Sequence, residues 1–186
     1  TLNASALTGK LQVTTGAIDD GDTLTLQTGS KATTVVGEAQ GPTGTGKMAI
    51  DATALANKTL LTVSGNAQVA VTNLQGDVDL SKATSTVLSV ETTGAAATKV
   101  VASAGALTVK QGGTAALTIE AAALADGKLL TLDDGANGKI VVTGLVGDVD
   151  ATAVNQSTSL EIATATGADV TIKTGTLATK LSGTSG

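Results

Sequence analysis

Hydrophobic positions alternate with Thr, Ser or charged positions in short runs along this chain. Thr23–Gln27, Leu60–Val63, Val69–Thr72, Val87–Val90, Lys99–Ala102, Leu107–Lys110, Leu129–Leu132, Lys139–Thr143, Leu160–Ile162 and Val170–Lys173 all read this way. A period of two is that of a strand with one buried face. Val, Ile and Thr suit it, because β-branched side chains favour the pleated backbone. The runs recur at intervals of roughly ten residues, the spacing of an all-β protein. Turn dipeptides separate them, at Asp20-Gly21, Gly65-Asn66, Gly112-Gly113, Asp126-Gly127, Asp134-Gly135 and Asn137-Gly138. Two Ala-rich stretches, Ala52–Ala56 and Ala121–Ala125, break the alternation. They predict one or two helical turns, the second ended by Gly127.

The alternation repeats on a longer scale. Ile50 aligns with Ile119, Leu60-Leu61-Thr62 with Leu129-Leu130-Thr131, and Gly76-Asp77-Val78-Asp79 with Gly147-Asp148-Val149-Asp150. The offset grows from 69 residues at Ile50/Ile119 to 71 at Gly76/Gly147. Two residues are therefore inserted in the second copy, most simply around Asp133-Asp134-Gly135. Val87-Leu88-Ser89-Val90 also matches Ser159-Leu160-Glu161-Ile162, and Gly9–Gly16 is a weaker third copy comparable to Val87–Gly94. The chain divides into a partial repeat over 1–49 and copies over 50–118 and 119–186, one continuous array.

Short strands in a repeat array predict an all-β fold, a parallel β-solenoid, with tandem small β-sandwich domains as the alternative. A whole number of coils is expected in each unit, three of about 23 residues or four of about 18. Seven strands per unit do not divide into two-strand coils, which keeps the sandwiches in play.

Composition sharpens this picture. There is no Phe, Tyr, Trp, Cys or His, the eleven basic residues are all Lys, and 34 Thr, 31 Ala and 23 Gly make up nearly half the chain. A globular core usually leans on aromatics, each burying roughly 150–250 Å². A narrow solenoid interior filled by aliphatic ladders has no use for them. The same absences remove a His acid–base, a Cys nucleophile, an aromatic stacking platform and an Arg clamp, so no enzyme is expected. The net charge of −5 and pI near 4.5 argue against nucleic acid. With 41% hydrophobic residues the chain does not read as disordered. No apolar run approaches the ~18 residues that span a bilayer. The chain opens Thr1-Leu2-Asn3 with no signal-peptide pattern, and it reads as a cut length of something that continues.

Three motifs invite chemistry. Calcium needs several carboxylate and carbonyl oxygens. The candidate ligands are Asp19, Asp20 and Asp22 in one acidic turn, and the pairs Asp77/Asp79 and Asp148/Asp150, each on one face of an extended strand. For the pairs, a solvated polar face that discourages edge pairing is the simpler reading. Gly41-Pro42-Thr43-Gly44-Thr45-Gly46-Lys47 matches the start of a phosphate-binding loop, but Met48 stands where a Mg²⁺-ligating Ser or Thr belongs. Thr-x-Thr pairs at Thr23/Thr25, Thr43/Thr45, Thr84/Thr86, Thr164/Thr166 and Thr174/Thr176 suggest an ice-binding array, but their spacing is irregular and not kept between copies.

The phrases Leu-Thr-Val-Ser-Gly (61–65), Ala-Leu-Ala-Asp-Gly-Lys (123–128) and Val-Thr-Gly-Leu-Val-Gly-Asp-Val-Asp-Ala (142–151) resemble the β-strand repeats of large bacterial surface proteins. These are the aromatic-poor segments of surface-layer proteins and RTX-type adhesins. The RTX calcium nonapeptide itself does not occur here. The resemblance implies an extracellular, non-enzymatic building block at the bacterial cell surface. Its partners would be itself or flanking repeats of the same protein, and a cell-surface glycan. A carbohydrate- or ice-binding adhesin module is the alternative.

Overall fold

A computed structural model describes residues 1–183 of the chain, so the last three residues of the second copy lie outside it. Among the described residues there is no helix. Eighteen strands follow one another: β1 (Leu2–Asn3), β2 (Leu11–Ile18), β3 (Thr23–Gln27), β4 (Thr33–Ala39), β5 (Lys47–Asp51), β6 (Leu60–Gly65), β7 (Gln68–Leu74), β8 (Asp77–Ala83), β9 (Leu88–Thr92), β10 (Thr98–Val101), β11 (Leu107–Gln111), β12 (Leu117–Glu120), β13 (Leu129–Asp134), β14 (Lys139–Leu145), β15 (Asp148–Ala153), β16 (Ser159–Thr164), β17 (Ile172–Thr174) and β18 (Thr179–Ser182). Odd strands form one nine-stranded sheet and even strands the other, each in chain order. Neighbours pair in parallel throughout, for example β5 with β7 and β12 with β14. The protein is thus a two-sheeted parallel β-solenoid of about nine coils, and one strand of each coil goes to each sheet. Two continuous parallel sheets rule out tandem sandwiches, whose sheets are antiparallel. At the ~4.8 Å strand spacing the rod is roughly 40 Å long.

Register explains the aliphatic composition. On the odd sheet, Leu24, Met48, Val69, Leu88, Leu107, Leu130, Val149 and Ile172 stack in one inward ladder. On the even sheet, Leu11, Thr33, Leu61, Val78, Val100, Ile119, Val142, Ile162 and Leu181 form another. The bulkiest fully buried side chains are Leu, Ile and the single Met. Thr33 interrupts its ladder without an orphaned hydroxyl, since its Oγ1 donates to Lys31 O at 3.2 Å. Gly37 makes room for Met48, whose sulfur lies where a Cβ would go.

The repeat does not hold a whole number of coils. Ile50 lies in β5 on the odd sheet and Ile119 in β12 on the even one. Seven strands separate equivalent positions, and two strands make a coil, so one sequence repeat is three and a half coils. Each copy therefore enters the rod rotated by half a turn, with its sheets exchanged. This works because both sheets offer the same environment, an inward aliphatic face and an outward hydroxyl face. The two extra residues fall where the offset places them: Asn66–Ala67 joins β6 to β7, whereas Gly135–Gly138 joins β13 to β14.

The Ala-rich stretches are not helical. Leu124 N donates to Ala121 O at 3.1 Å and Lys128 N to Ala125 O at 3.0 Å, giving two successive tight turns. Leu55 and Leu124 fill the corners they enclose, and Ala52 and Ala121 are fully buried beside them. Packing of these apolar side chains into the rod overrides the helix propensity of Ala. The copies share two left-handed backbone positions but fill them with different residues. Lys58 (φ 57°) holds the left-handed conformation that Gly127 (φ 66°) takes in the second copy, and Asn73 (φ 56°) does so opposite Gly144 (φ 65°).

Candidate functional site: the aspartates at the coil corners

The Gly-Asp-Val-Asp segments are built to join coils. A Cβ at Gly76 would strike Thr59 O, and one at Gly147 would strike Lys128 O, so the chain passes directly over the preceding turn. The next amide uses that approach: Asp77 N donates to Thr59 O at 2.9 Å and Asp148 N to Lys128 O at 2.8 Å. Each carboxylate then reaches the following coil. Asp77 Oδ1 accepts from Lys99 N at 2.8 Å, and Asp148 Oδ1 accepts from Thr171 N at 2.7 Å. Val78 and Val149 point into the core between the two acids.

The second acid of each pair bonds two residues ahead within its own strand, where the register shifts. Asp79 Oδ1 accepts from Ser81 N at 2.9 Å. Asp150 Oδ1 accepts from Thr152 N at 3.0 Å and Thr152 Oγ1 at 2.6 Å. Asp51 with Thr53 and Asn3 with Ser5 make the same two-residue turn. This is the local side chain–backbone bonding that Asp and Asn use in turns, and here it serves strand ends at Asn3 and Asp51 and strand irregularities at Asp79 and Asp150. Bonds from the Thr152 hydroxyl and amide, aided by nearby Lys173, hold the Asp150 carboxyl below its ordinary range.

The acidic turn between β2 and β3 divides its labour. Asp20 reaches the coil above, where Oδ2 accepts from Thr43 N at 3.1 Å and Oδ1 from Thr45 N at 2.8 Å and Thr45 Oγ1 at 3.2 Å. The amides of Thr45 and Thr43 hold the Asp20 carboxyl below the usual carboxylate range. Gly41–Lys47 thus does fold around an anion, as its phosphate-loop likeness suggests, but the anion is the protein's own carboxylate. A Cβ at Gly41 would collide with it. Asp19 and Asp22 lie instead beside a groove at the rim of the first coil, with Leu2, Val13, Ile18 and Leu24.

The seven candidate calcium ligands therefore stand at three separate places. Asp77 and Asp79 are on the even sheet, Asp148 and Asp150 on the odd sheet, and the acidic turn is at the first coil. Among the described residues, no three Asp, Glu, His or Cys side chains come together as a cation site.

Sequence reasoning missed the most buried acid. Asp134, only 5% exposed, accepts from Asn155 N at 3.1 Å, Gln156 N at 2.8 Å and Ser157 N at 2.6 Å. Burial pushes its carboxyl up, but the amides of Asn155, Ser157 and Gln156 outweigh that and leave it below the ordinary value. Beside it, Ser157 Oγ donates to Gln111 Oε1 at 3.0 Å, and Gln111 Nε2 donates to Ala115 O at 2.8 Å and Lys139 O at 3.3 Å. This buried lattice links successive corners of the rod. The only hint in the sequence was the longer corner, which replaces Ser64-Gly65 by Asp133-Asp134. Three ion pairs tie coils outside: Lys99–Glu120 at 3.2 Å, Lys110–Glu91 at 3.1 Å and Lys139–Glu161 at 2.9 Å.

Chemically Asp20, Asp77, Asp134 and Asp148 act as acceptors for backbone amides of neighbouring coils. They organise corners where the strand ladder cannot supply a carbonyl. No protein-family model, curated protein or solved structure matches the chain.

Proposed function

We propose that this chain is a structural, non-enzymatic element of an extracellular assembly at a bacterial cell surface, such as a surface layer, an adhesin stalk or a matrix fibre. The observation that carries the reading is an uninterrupted rod in which two continuous parallel sheets run through all the described coils. Asp20, Asp77, Asp134 and Asp148 join coils, and many outward positions are Thr, Ser or paired charges. Such a rod, in which each coil contacts only its neighbours, suits an element that spans or stacks and presents an inert, hydroxyl-rich surface. Backbone amides already engage Asp20, Asp77, Asp79, Asp148 and Asp150, so this reading expects the rod to fold with or without calcium. Sedimentation velocity and negative-stain microscopy over a concentration series, with and without calcium, test the proposal. Concentration-dependent rods or sheets are expected, and a compact monomer under every condition refutes it.

A binding module is the second reading. Thr25, Ala49, Ala70, Ser89, Thr108 and Thr131 form one row of small outward side chains on the odd sheet. Such a flat face is what ice or a glycan would need. Thermal-hysteresis and glycan-array measurements separate this reading from the first, which expects neither signal.

A further inference from the structure

One outward face of the rod carries a continuous apolar patch. On the odd sheet Leu107 pairs with both Leu88 and Leu130, which sets outward Ala106 between Val87 and Leu129. Val87 is 51% exposed and Leu129 41%. With Thr108 and Thr131 they line a shallow groove across three coils. Leu60, the counterpart of Leu129 in the first copy, is equally exposed, but the half turn between copies puts it on the even sheet beside Asp77. The apolar side chains therefore gather on one face of the rod. They adjoin the row of small side chains that runs from Thr25 to Thr131. Another sheet can approach such a surface to the ~10 Å of face-to-face packing. Contiguous apolar side chains on an outward face mark a contact surface.

The charges around the patch say what covers it. One outward row of the odd sheet reads Lys47, Gln68, Val87, Ala106, Leu129 and Asp148, and another holds Glu91 beside Lys110. A two-fold axis parallel to the strands, midway between β9 and β11, lays each row on itself in reverse order. It sets Val87 over Ala106, Leu129 over the methylenes of Gln68, and Lys47 over Asp148 of the second copy. Asp148 gives one oxygen to Thr171 N, which leaves the other for Lys47. Glu91 meets Lys110 and Lys110 meets Glu91, so the pair at 3.1 Å within each chain becomes a square of alternating charge. Moving the axis onto β9 or β11 instead faces Glu91 or Lys110 with its own copy. Laying the rods parallel sets Leu129 against Asp133. The arrangement midway between β9 and β11 avoids both.

We propose that the odd face is a docking surface for a second copy of this chain, seated face to face with its rod reversed. The strands from β3 to β17, at ~4.8 Å spacing and with about five residues of ~3.3 Å each, present about 600 Å². Pairing two such faces covers up to about 1,200 Å², the lower bound of a stable interface. The contact is isologous, so it closes as a dimer. It covers the row from Thr25 to Thr131, which ice or a glycan then cannot reach. The inference rests on the self-assembly reading above and names the surface that carries it.

Leu129→Lys and Leu60→Lys make a matched test, since the two Leu are equivalent in the repeat and equally exposed on opposite faces. Sedimentation over a concentration series reads the association, and far-UV circular dichroism verifies that each variant folds. Leu129→Lys is expected to raise the dissociation constant about tenfold or more, because it puts a charge into the apolar patch and draws Asp148 away from Lys47 of the second copy. Leu60→Lys is expected to leave the constant unchanged. Glu91→Lys and Lys110→Glu should each weaken association by facing like charges, and an equimolar mixture of the two should restore it as a heterodimer. Oligomers that survive Leu129→Lys, or that Leu60→Lys weakens as much, overturn this face and leave self-assembly standing. A mixture that associates no better than either variant alone overturns the reversed arrangement. A monomer of the parent chain at every concentration removes both readings.

Discussion

Asp134→Ala tests the idea that buried carboxylates, rather than the strand ladder alone, hold the corners of this rod. The substitution removes the acceptor for the amides of Asn155, Gln156 and Ser157. Ser157 is buried, and an amide left there without a partner costs roughly 1–3 kcal/mol. Asn155 and Gln156 are exposed. Water replaces their lost bonds, so each contributes only about 0.5 kcal/mol. The expected loss is about 3 kcal/mol, a large share of the 5–15 kcal/mol typical of a domain. Asp134→Asn keeps one acceptor oxygen and should lose about 1 kcal/mol. With no Trp, Tyr or Phe to fluoresce, urea unfolding is followed by far-UV circular dichroism. Hydrogen exchange at residues 155–157 locates the effect, because in a stacked array damage stays near its own coil. The pH dependence adds a second check. The Asp134 carboxyl lies below its ordinary value of 3.8 in the fold. Its contribution is therefore complete above that value and is lost as pH falls through it toward the folded pKa. Asp134→Asn should be nearest to the parent at acid pH and furthest from it at neutral pH. A neutral-pH loss below about 0.5 kcal/mol for Asp134→Ala, with residues 155–157 still protected, refutes the reasoning.

Other substitutions probe the remaining elements. Lys58→Gly should stabilise the protein by up to about 1 kcal/mol and Gly127→Lys should destabilise it by a similar amount, read from urea midpoints, because both sites have φ near 60° and only Gly takes that backbone at no cost. Gly65→Ala should cost at least about 2 kcal/mol by the same measurement, since φ is 97° there and a Cβ would meet Gly37 O, a backbone atom that cannot swing away. Leu117→Ala should cost about 2–5 kcal/mol by leaving a cavity in the even-sheet ladder between Thr98 and Ile140. Adding EDTA or calcium should leave the thermal midpoint unchanged. Raising NaCl to about 1 M should lower stability by no more than about 1 kcal/mol per ion pair, as all three pairs are about 40% exposed.

Much of this fold is written in the chain. The period-two runs mark Thr23–Gln27 at its observed bounds and nine further strands to within a few residues. The missing aromatics already require a thin aliphatic core, and the 69- to 71-residue offset already requires repetition. These are local properties: a strand period, a side-chain volume and a self-similarity need no knowledge of what lies across the molecule. The half-coil phase of the repeat does need it, because only the rod reveals that its two sheets are interchangeable environments. The turns at Ala52–Ala56 and Ala121–Ala125 were decided the same way, when Leu55 and Leu124 found corners to fill. The acids were the least legible. Asp77, Asp148, Asp20 and Asp134 bond to amides 22, 23, 25 and 23 residues further on, about one coil away. No spacing within a motif records that distance, because it is set by how the coils stack and not by the order of neighbouring residues.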